Sequence, residues 1–379
     1  ITAAQSGAQW GYSLLLLQVI LIPVLFVVQE LTVRLGIVTG HGHGRGIRQH
    51  FGPAWAWVSV STLLVACVGA LITELSGIAG VGALVGVAPW ASMLIVVTGL
   101  TVMAYTGSYL TVERIALSVG LFELVFLLVA WRASPSPREV WAGMLHAPLG
   151  DHRYLYLIAA NIGAVIMPWM VFYQQSAVVE KRLTVADLSA ARWDTAIGAV
   201  VTQLIMASVL VATAATIGRA GQGQQSLETV QQIAQAITPY VGEPAGTLLF
   251  ALGMIGAALV ATIVVTLTAA RTLGELMGFR HSLEHAPREA PWFYGVYTLI
   301  LVLGGALVAS GVDLVRLSVA VQVMNALLLP VVLGFLYMLA RRALPPPYQL
   351  RGAYAVVVVA TIVITAALGL YAGLLGALS

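Results

Sequence analysis

The stretch NIGAVIMPWMVFYQQ, residues 161–175, lies inside a hydrophobic segment long enough to cross a bilayer, yet it holds residues that interrupt helices. Pro168 removes a backbone donor and clashes with the preceding turn, and Gly163 loosens the helix just before it. This pattern predicts that carbonyls near residues 164–167 leave the helical ladder, where unwound backbone at the midplane can bind a cation. The alternative is a proline kink whose hydrogen bonds are restored by neighbouring helices.

The composition places the whole chain in a lipid bilayer. Of its 379 residues, 60% are hydrophobic and only 9% are charged, and the mean hydropathy is +0.94. A single cysteine, Cys67, excludes a disulfide and a thiolate cluster within the chain and is expected to pack in the core. The net charge of +3 comes with no basic patch interleaved with aromatics, so the pattern argues against nucleic-acid binding.

Windows of about 19 residues predict the membrane spans. They lie near 13–35, 54–86, 90–108, 113–133, 156–179, 194–217, 244–277, 292–310, 315–340 and 353–377. The segment before the first span is too short to cross a membrane, so we interpret it as the second half of an earlier helix whose first half is missing from this sequence. Most of the 18 Lys and Arg residues adjoin alternate loops, which predicts a cytoplasmic N-terminus in a multi-pass protein of the cell membrane.

Two groups of polar residues are candidate ion ligands. Glu30, Glu74 and Glu123 lie within predicted spans, where a carboxylate serves either a buried structural hydrogen bond or an ion path. The second group, His41, His43 and His50, lies in the loop HGHGRGIRQH. We interpret this loop as a flexible, solvated connector in preference to a metal-collecting site, since it is rich in glycine and arginine.

Several segments resemble the Nramp family of divalent-metal transporters. The run 7–40, which ends in RLGIVTG, is similar to the end of that family's first helix and its second helix. VERIALSVGLFEL, residues 112–124, is similar to the fifth helix, GAVIMP, residues 163–168, to the sixth, and QVMNALLLP, residues 322–330, to the tenth. The order of these segments is collinear with the family.

The resemblance implies an all-α polytopic membrane protein with the leucine-transporter-type fold. One transport domain, 1–379, would hold two inverted five-helix repeats, with 1–133 as the rest of the first repeat and 156–340 as the second, and an additional C-terminal helix at 353–377. The short likeness between TAAQSGAQ at the start of the chain and FYQQSAVV after the break agrees with inverted repeats.

The resemblance also implies the metal ligands. They are the Ala164 carbonyl, the Met167 sulfur and Gln322, with the main Asp and Asn ligands expected upstream of Ile1. The metal would be transported Mg²⁺ or Mn²⁺, so no cofactor is expected. The lipid bilayer is the other expected partner, and no obligatory protein partner is evident.

Two positions depart from the family's pattern. Trp169 stands where the family has a His after Met-Pro, and Leu71 stands where it has an Asp, three residues before Glu74. Neither residue titrates, so proton coupling is not expected, and this favours the Nramp-related magnesium transporter branch. Met167 argues the other way, because a thioether suits Mn²⁺ or Fe²⁺ better than Mg²⁺.

Three alternatives follow from these observations. The first is a conventional proton-coupled Mn²⁺/Fe²⁺ transporter, which the retained Met167 favours. The second is a sodium-coupled amino-acid carrier on the same fold. The third is an intramembrane hydrolase, which would need a His-Glu-x-x-His helix or a paired nucleophile and base, and the spans contain neither. The expected protein is therefore not an enzyme.

Overall fold

A computed structural model describes residues 1–107, 114, 118, 121–217, 227–237, 242, 245–283, 285–311 and 313–377. The described part is helical, with short 3₁₀ segments at Leu121–Leu124, Val185–Asp187 and Pro346–Tyr348. The α-helices are α1 (Thr2–Trp10), α2 (Leu15–Thr39), α3 (His43–Phe51), α4 (Pro53–Leu84), α5 (Pro89–Thr106), α6 (Val125–Ala133), α7 (Pro137–Met144), α8 (His152–Val165), α9 (Pro168–Glu180), α10 (Leu188–Thr216), α11 (Val230–Ile237), α12 (Ala245–Met277), α13 (Pro291–Ala309), α14 (Leu314–Ala343) and α15 (Gly352–Ala377).

Most of the predicted spans are confirmed. Within the described residues, nine helical segments are long and apolar enough to cross a membrane, with α8 and α9 together forming one of them. Their ends differ from the predicted ones by a few residues; α2, for example, continues to Thr39. The predicted span 113–133 lies partly outside the described residues, and the part of this span from residue 121 onwards is helical. Most of the segment 112–124 and the side chain of Glu123 also lie outside the described residues.

The fifth predicted span, 156–179, is interrupted where the sequence places Pro168. Helix α8 ends at Val165, Ile166 has φ −113° and ψ 79°, and Met167 is extended with φ −82° and ψ 136°. Pro168 then opens α9 at its first position, where a missing N–H costs nothing and the fixed φ suits a helix. The interruption is therefore a full break with a new helix start, and the simple kink is wrong.

Two apolar clusters pack on either side of this break. The first is built mainly from α2, α8, α14 and α15, and the second from α4, α5, α9, α12 and α13. Helix α14 contacts both α4 and α8, while α10 packs on α1 and α2. Cys67 is fully buried in the second cluster, as expected for a packing role. The break thus lies in the interior of the helix bundle and not at its lipid-facing surface.

Glu30 joins three helices near one end of the bundle. Its carboxylate accepts hydrogen bonds from Arg34 on the same helix at 2.7 Å, from Arg192 of α10 at 2.7 Å and from the Tyr354 hydroxyl of α15 at 2.6 Å. The Glu30 and Arg34 side chains are both buried. Of the two roles expected for an intramembrane carboxylate, the contacts of Glu30 are those of a structural ion pair.

The glycine-rich loop is not a flexible connector, and that interpretation was wrong. Residues 43–51 form α3, and His43, Gly44, Gly46 and Ile47 are buried. The glycines allow close packing: a Cβ on Gly44 would lie 3.3 Å from Thr272, and one on Gly46 would lie 3.0 Å from Leu339. Small residues let this short helix lie directly against α12 and α14.

Candidate functional site

Pro168 leaves one carbonyl at the break without its usual helical donor. In an α-helix the carbonyl of residue 164 accepts from the amide of residue 168, and proline has no amide hydrogen. The amide of Ile166 still donates to the Ile162 carbonyl. The regular series of helical hydrogen bonds in α8 therefore ends before the Ala164 carbonyl can accept one. The sequence therefore produces an oxygen donor at Ala164 in the interior of the bundle.

Ala164 borders a cavity of about 240 Å³. The lining residues with side-chain polar groups are Thr2 of α1, Thr73 and Glu74 of α4, and Gln322 of α14. Apolar side chains from α6, α10, α11 and α12 complete the wall, among them Phe126, Met206, Ile233, Phe250 and Met254. A space lined by carboxylate, amide, hydroxyl and carbonyl oxygens within an apolar wall offers the ligands that hard divalent cations prefer.

Gly163 brings α8 into direct contact with α14 at this site. A Cβ on Gly163 would overlap the backbone oxygen of Gln322 and would lie 2.8 Å from the amide nitrogen of Ala326. The absent side chain lets the two backbones meet, and this contact holds Ala164 beside Gln322. The structure thus brings together two of the three ligands expected from the sequence.

The Gln322 side chain is already partly engaged. Its Oε1 accepts a hydrogen bond of 3.0 Å from Nδ2 of Asn325, one turn later on α14, and both residues are buried. The Oδ1 atom of Asn325 is buried and has no hydrogen-bond partner among the described residues. An amide oxygen held in this way can rotate towards the cavity only by giving up the Asn325 contact.

Met167 lies apart from this cavity. Among the described residues it does not line the space, and its sulfur accepts a hydrogen bond of 3.1 Å from the indole Nε1 of Trp169. Both side chains pack with the second apolar cluster. The third expected ligand is therefore turned away from Ala164 and Gln322 in this structure.

A buried polar network fixes the helices around the break. The Asn161 amide donates to the Ser6 hydroxyl of α1 at 2.8 Å and to the Leu157 carbonyl at 2.7 Å, and its oxygen accepts from Gln18 of α2 at 2.7 Å. These residues are buried, so the hydrogen bonds satisfy polar groups that water does not reach. The network ties α1, α2 and α8 into one unit next to the cavity.

A second contact anchors α1 on the other side of the cavity. Gln5 exchanges two hydrogen bonds with the backbone of Leu227, accepting from its amide at 3.0 Å and donating to its carbonyl. Leu227 precedes α11, whose Ile233 forms part of the cavity wall. The sequence analysis did not identify Thr2, Gln5 or Thr73 as residues of the site. For Thr2 and Gln5, the only indication in the sequence was the run of polar residues in TAAQSGAQ.

The two departures from the resembled pattern lie in the same apolar surroundings. Leu71 is fully buried and packs against α13, where a Cβ on Gly304 would lie 2.9 Å from its methyl group. Trp169 is 9% exposed and belongs to the same cluster. Glu74, one turn from Leu71 on α4, faces the cavity instead.

The loop histidines do not assemble a metal site. Within the described residues, no group of three or more His, Cys, Asp or Glu side chains is placed to hold a metal ion. Nδ1 of His43 lies 2.8 Å from Oε1 of Gln175 on α9, and Nε2 of Gln175 donates to the His41 carbonyl at 2.9 Å. Burial lowers the pKa of His43 to about 4, so this imidazole is neutral and serves as a hydrogen-bond donor between α3 and α9.

A larger polar chamber of about 620 Å³ lies next to α3. It is bordered by Arg45, Glu180, Arg271 and Glu275, and Arg271 forms an ion pair of 2.9 Å with Glu180. Its lining does not include Ala164 or Gln322 among the described residues. The chamber therefore borders the far end of α9 and is separate from the break at residues 164–168, and its size alone does not make it the ion site.

Comparison with known proteins matches residues 1–374 to the family described as natural resistance-associated macrophage protein-like (Nramp). The divalent metal cation transporter MntH of Klebsiella pneumoniae is 25% identical over 346 residues, covering 86% of this chain and 82% of that protein. The MntH protein of Ralstonia nicotianae is 28% identical over 273 residues, covering 68% and 60%.

Solved structures with the same fold include a manganese transporter of Eremococcus coleocola. It has a TM-score of 0.78 at 20% identity and covers 98% of this chain and 81% of its own. The structure of MhsT in complex with L-phenylalanine has a TM-score of 0.62 at 11% identity, covering 99% and 97%. At these identities the likeness concerns the fold, and it confirms the predicted leucine-transporter-type architecture.

Proposed function

The chain belongs to the Nramp family, and from that premise we propose that it carries divalent metal cations, Mg²⁺ and Mn²⁺, into the cytoplasm by alternating access without moving protons. Membership confirms the expectation that the protein is a membrane transporter and not an enzyme. Divalent metal as the substrate class is supported by the relatives, which are described as divalent metal cation transporters. The positive-inside pattern supports the proposed orientation, with the N-terminus in the cytoplasm.

One observation carries this proposal. Ala164, whose carbonyl has lost its helical donor because of Pro168, lines the same small cavity as Glu74 and Gln322. Cations at mid-membrane sites of transporters are coordinated by such unwound carbonyls. A carboxylate nearby attracts a divalent ion strongly, because the interior screens charge poorly. We assign the ion to this cavity, with the polar chamber beside α3 as a separate space.

Transport without protons is supported by the surroundings of Leu71 and Trp169. A proton route needs groups that change charge and that connect to water. Leu71 instead packs against Gly304 and Trp169 packs in the same cluster, so this region is filled by apolar side chains. Glu74 remains as a single carboxylate at the cavity, where we give it the role of attracting the cation.

The preference for Mg²⁺ is supported by the donor atoms at the cavity. Ala164, Glu74, Gln322 and the two threonines offer oxygen, Met167 is not among the lining residues, and Met206 and Met254 belong to the apolar wall. Mg²⁺ takes oxygen ligands and keeps several waters, which a cavity of about 240 Å³ can hold. The Nramp-related magnesium branch is therefore the subgroup that we propose.

The test is ion flux into proteoliposomes that contain the purified protein and an internal metal indicator. We expect uptake of Mg²⁺ and Mn²⁺, driven by an imposed potential, with no change of lumenal pH. Glu74→Gln should reduce uptake by about tenfold or more, and Pro168→Ala should reduce it because the helix can then close over the Ala164 carbonyl. Trp193→Phe, at a lipid-facing position of α10 that is 70% exposed, is the matched control and should transport normally.

Two results would contradict the proposal in different ways. Absence of both fluxes in folded, inserted protein, beside a working control transporter, refutes divalent-cation transport. Acidification of the lumen in step with metal uptake, abolished in Glu74→Gln, refutes the proton-independent mechanism. The second result would place the protein with the conventional proton-coupled type, which the retained Met167 favours.

A further inference from the structure

The break between α8 and α9 is bridged by a hydrogen bond between two side chains that flank Pro168. The indole Nε1 of Trp169 donates to the Met167 sulfur at 3.1 Å. Met167 is the extended residue that precedes α9, and Trp169 is the second residue of that helix. The indole therefore reaches back over the helix start and contacts the sulfur from the side of the second apolar cluster.

This contact fixes where the sulfur points. Trp169 is 9% exposed and packs among buried residues of the second cluster, so its ring has little room to change rotamer. Met167 packs against the same cluster and, among the described residues, does not border the cavity at Ala164. A flexible thioether, which on its own fills whatever space is near, is thereby held on the side away from Glu74 and Gln322.

The sulfur matters because Met167 is only three residues from Ala164, whose carbonyl is freed by the break; the thioethers of Met206 and Met254 belong to the apolar wall of the cavity. Thioether ligands favour softer transition-type cations, whereas carboxylate, carbonyl and water favour Mg²⁺. A thioether has few lone pairs to offer, and one of them here accepts the indole N–H. The position of the Met167 sulfur and its hydrogen bond with the indole therefore both keep it from binding an ion at Ala164.

We propose that Trp169 is a specificity-determining residue: by holding the Met167 thioether away from the ion cavity, it keeps this sulfur out of the coordination of the ion and so favours hard cations over soft ones. This inference rests on the proposed transport function, and it names the chemical class of cation that the site accepts. It also reconciles a methionine in the motif with a site suited to Mg²⁺.

A neighbouring contact of the same kind provides an internal comparison. The sulfur of Met170, one turn into α9, accepts a hydrogen bond of 3.1 Å from Nε2 of Gln29 on α2. That sulfur lies beside the first apolar cluster as well as the second, and it does not flank the freed carbonyl. Loss of the Gln29 donor should therefore leave ion selection unchanged.

The experiment measures competition between a soft and a hard ion in proteoliposomes, with Cd²⁺ as the soft probe and Mg²⁺ as the hard one. Trp169→Phe keeps an aromatic ring in the cluster and removes the N–H donor. We expect Cd²⁺ to compete about tenfold better in Trp169→Phe than in the wild type, the equivalent of ~1.4 kcal/mol. In a Met167→Leu background, which conserves volume, Trp169→Phe should have no effect on the Cd²⁺/Mg²⁺ ratio. Gln29→Leu and Trp193→Phe are the controls, each with a wild-type ratio.

The outcomes separate this inference from the function on which it rests. If the wild type transports divalent cations and Trp169→Phe leaves the ratio unchanged, the specificity role is wrong and the transport proposal stands. An equal change with and without Met167 would show that the indole acts through packing alone, which also overturns the inference. Absence of any divalent flux in the wild type refutes the transport function, and the inference with it.

Discussion

Replacing Glu30 with glutamine should destabilise the protein without altering ion selection. The carboxylate holds Arg34 through two guanidinium nitrogens, at 2.7 Å and 3.0 Å, and it also accepts from Arg192 and Tyr354. The substitution preserves the shape of the side chain and removes its charge. Arg34, whose side chain is 7% exposed, then remains as a buried cation without its counter-ion.

The magnitude follows from that burial. Removing one partner of a buried ion pair costs about 3–5 kcal/mol, whereas exposed pairs contribute about 0–1 kcal/mol. The Arg34 contact belongs to the first class, and the Arg192 contact, with an arginine side chain that is 42% exposed, adds less. At about 2–4 °C per kcal/mol, the loss should lower the apparent melting temperature by on the order of 6–20 °C.

The assay is thermal unfolding of purified protein in detergent, followed by metal flux below the melting transition. A double variant, Glu30→Gln with Arg34→Met, should recover part of the loss because it leaves no isolated buried charge. Asp194→Asn, at an exposed position of α10, is the control and should change little. If Glu30→Gln kept wild-type stability and abolished flux, Glu30 would belong to the ion path and the structural role would be refuted.

Two further predictions concern close packing and pH. Gly163→Ala should abolish transport and lower stability, since its Cβ would overlap the Gln322 backbone, whereas Gly198→Ala, with no atom within 4 Å of the added carbon, should be neutral in flux and thermal-shift assays. The folded-state pKa of His43, about 4, lies below the ordinary value of 6.5, so the unfolded chain binds more protons and stability should fall as pH drops from about 6.5 to 4. His43→Gln should flatten this pH dependence of the melting temperature and exposed His50→Gln should not; equal slopes in all three proteins would contradict the reasoning.

The sequence alone was sufficient to predict the break and its consequence for Ala164. Proline removes the amide that the carbonyl four residues earlier needs, and this effect is local to the chain. The ion pair of Glu30 with Arg34 was within reach for the same reason, because residues four apart share a helix face. The contacts of Glu30 with Arg192 and Tyr354 were not, since they depend on how α10 and α15 pack against α2.

One wrong interpretation and one open prediction depend on the same kind of information. Glycine and arginine in residues 41–50 suggested a solvated loop, but the glycines serve to bring α3 close to α12 and α14. Met167 was assigned to the ion by its place in the motif, and that assignment stays a prediction; in this structure its sulfur accepts a hydrogen bond from the neighbouring Trp169. In both cases the outcome depended on which surfaces meet in three dimensions, which the local pattern does not encode.

Leu71 on α4 and Trp169 on α9 are best understood together, because each makes the other favourable. Each lies in an apolar cluster, where a single charged or titratable side chain would be buried without a partner at a cost of several kcal/mol. An acid at position 71 needs a cation or a proton relay to face it, and the neighbouring Gly304 and Trp169 provide neither. With an indole on α9, an apolar residue at position 71 of α4 is therefore the stable choice. The same indole supplies the N–H that restrains Met167, so the proposed proton-independent transport and the proposed ion selection both depend on Trp169.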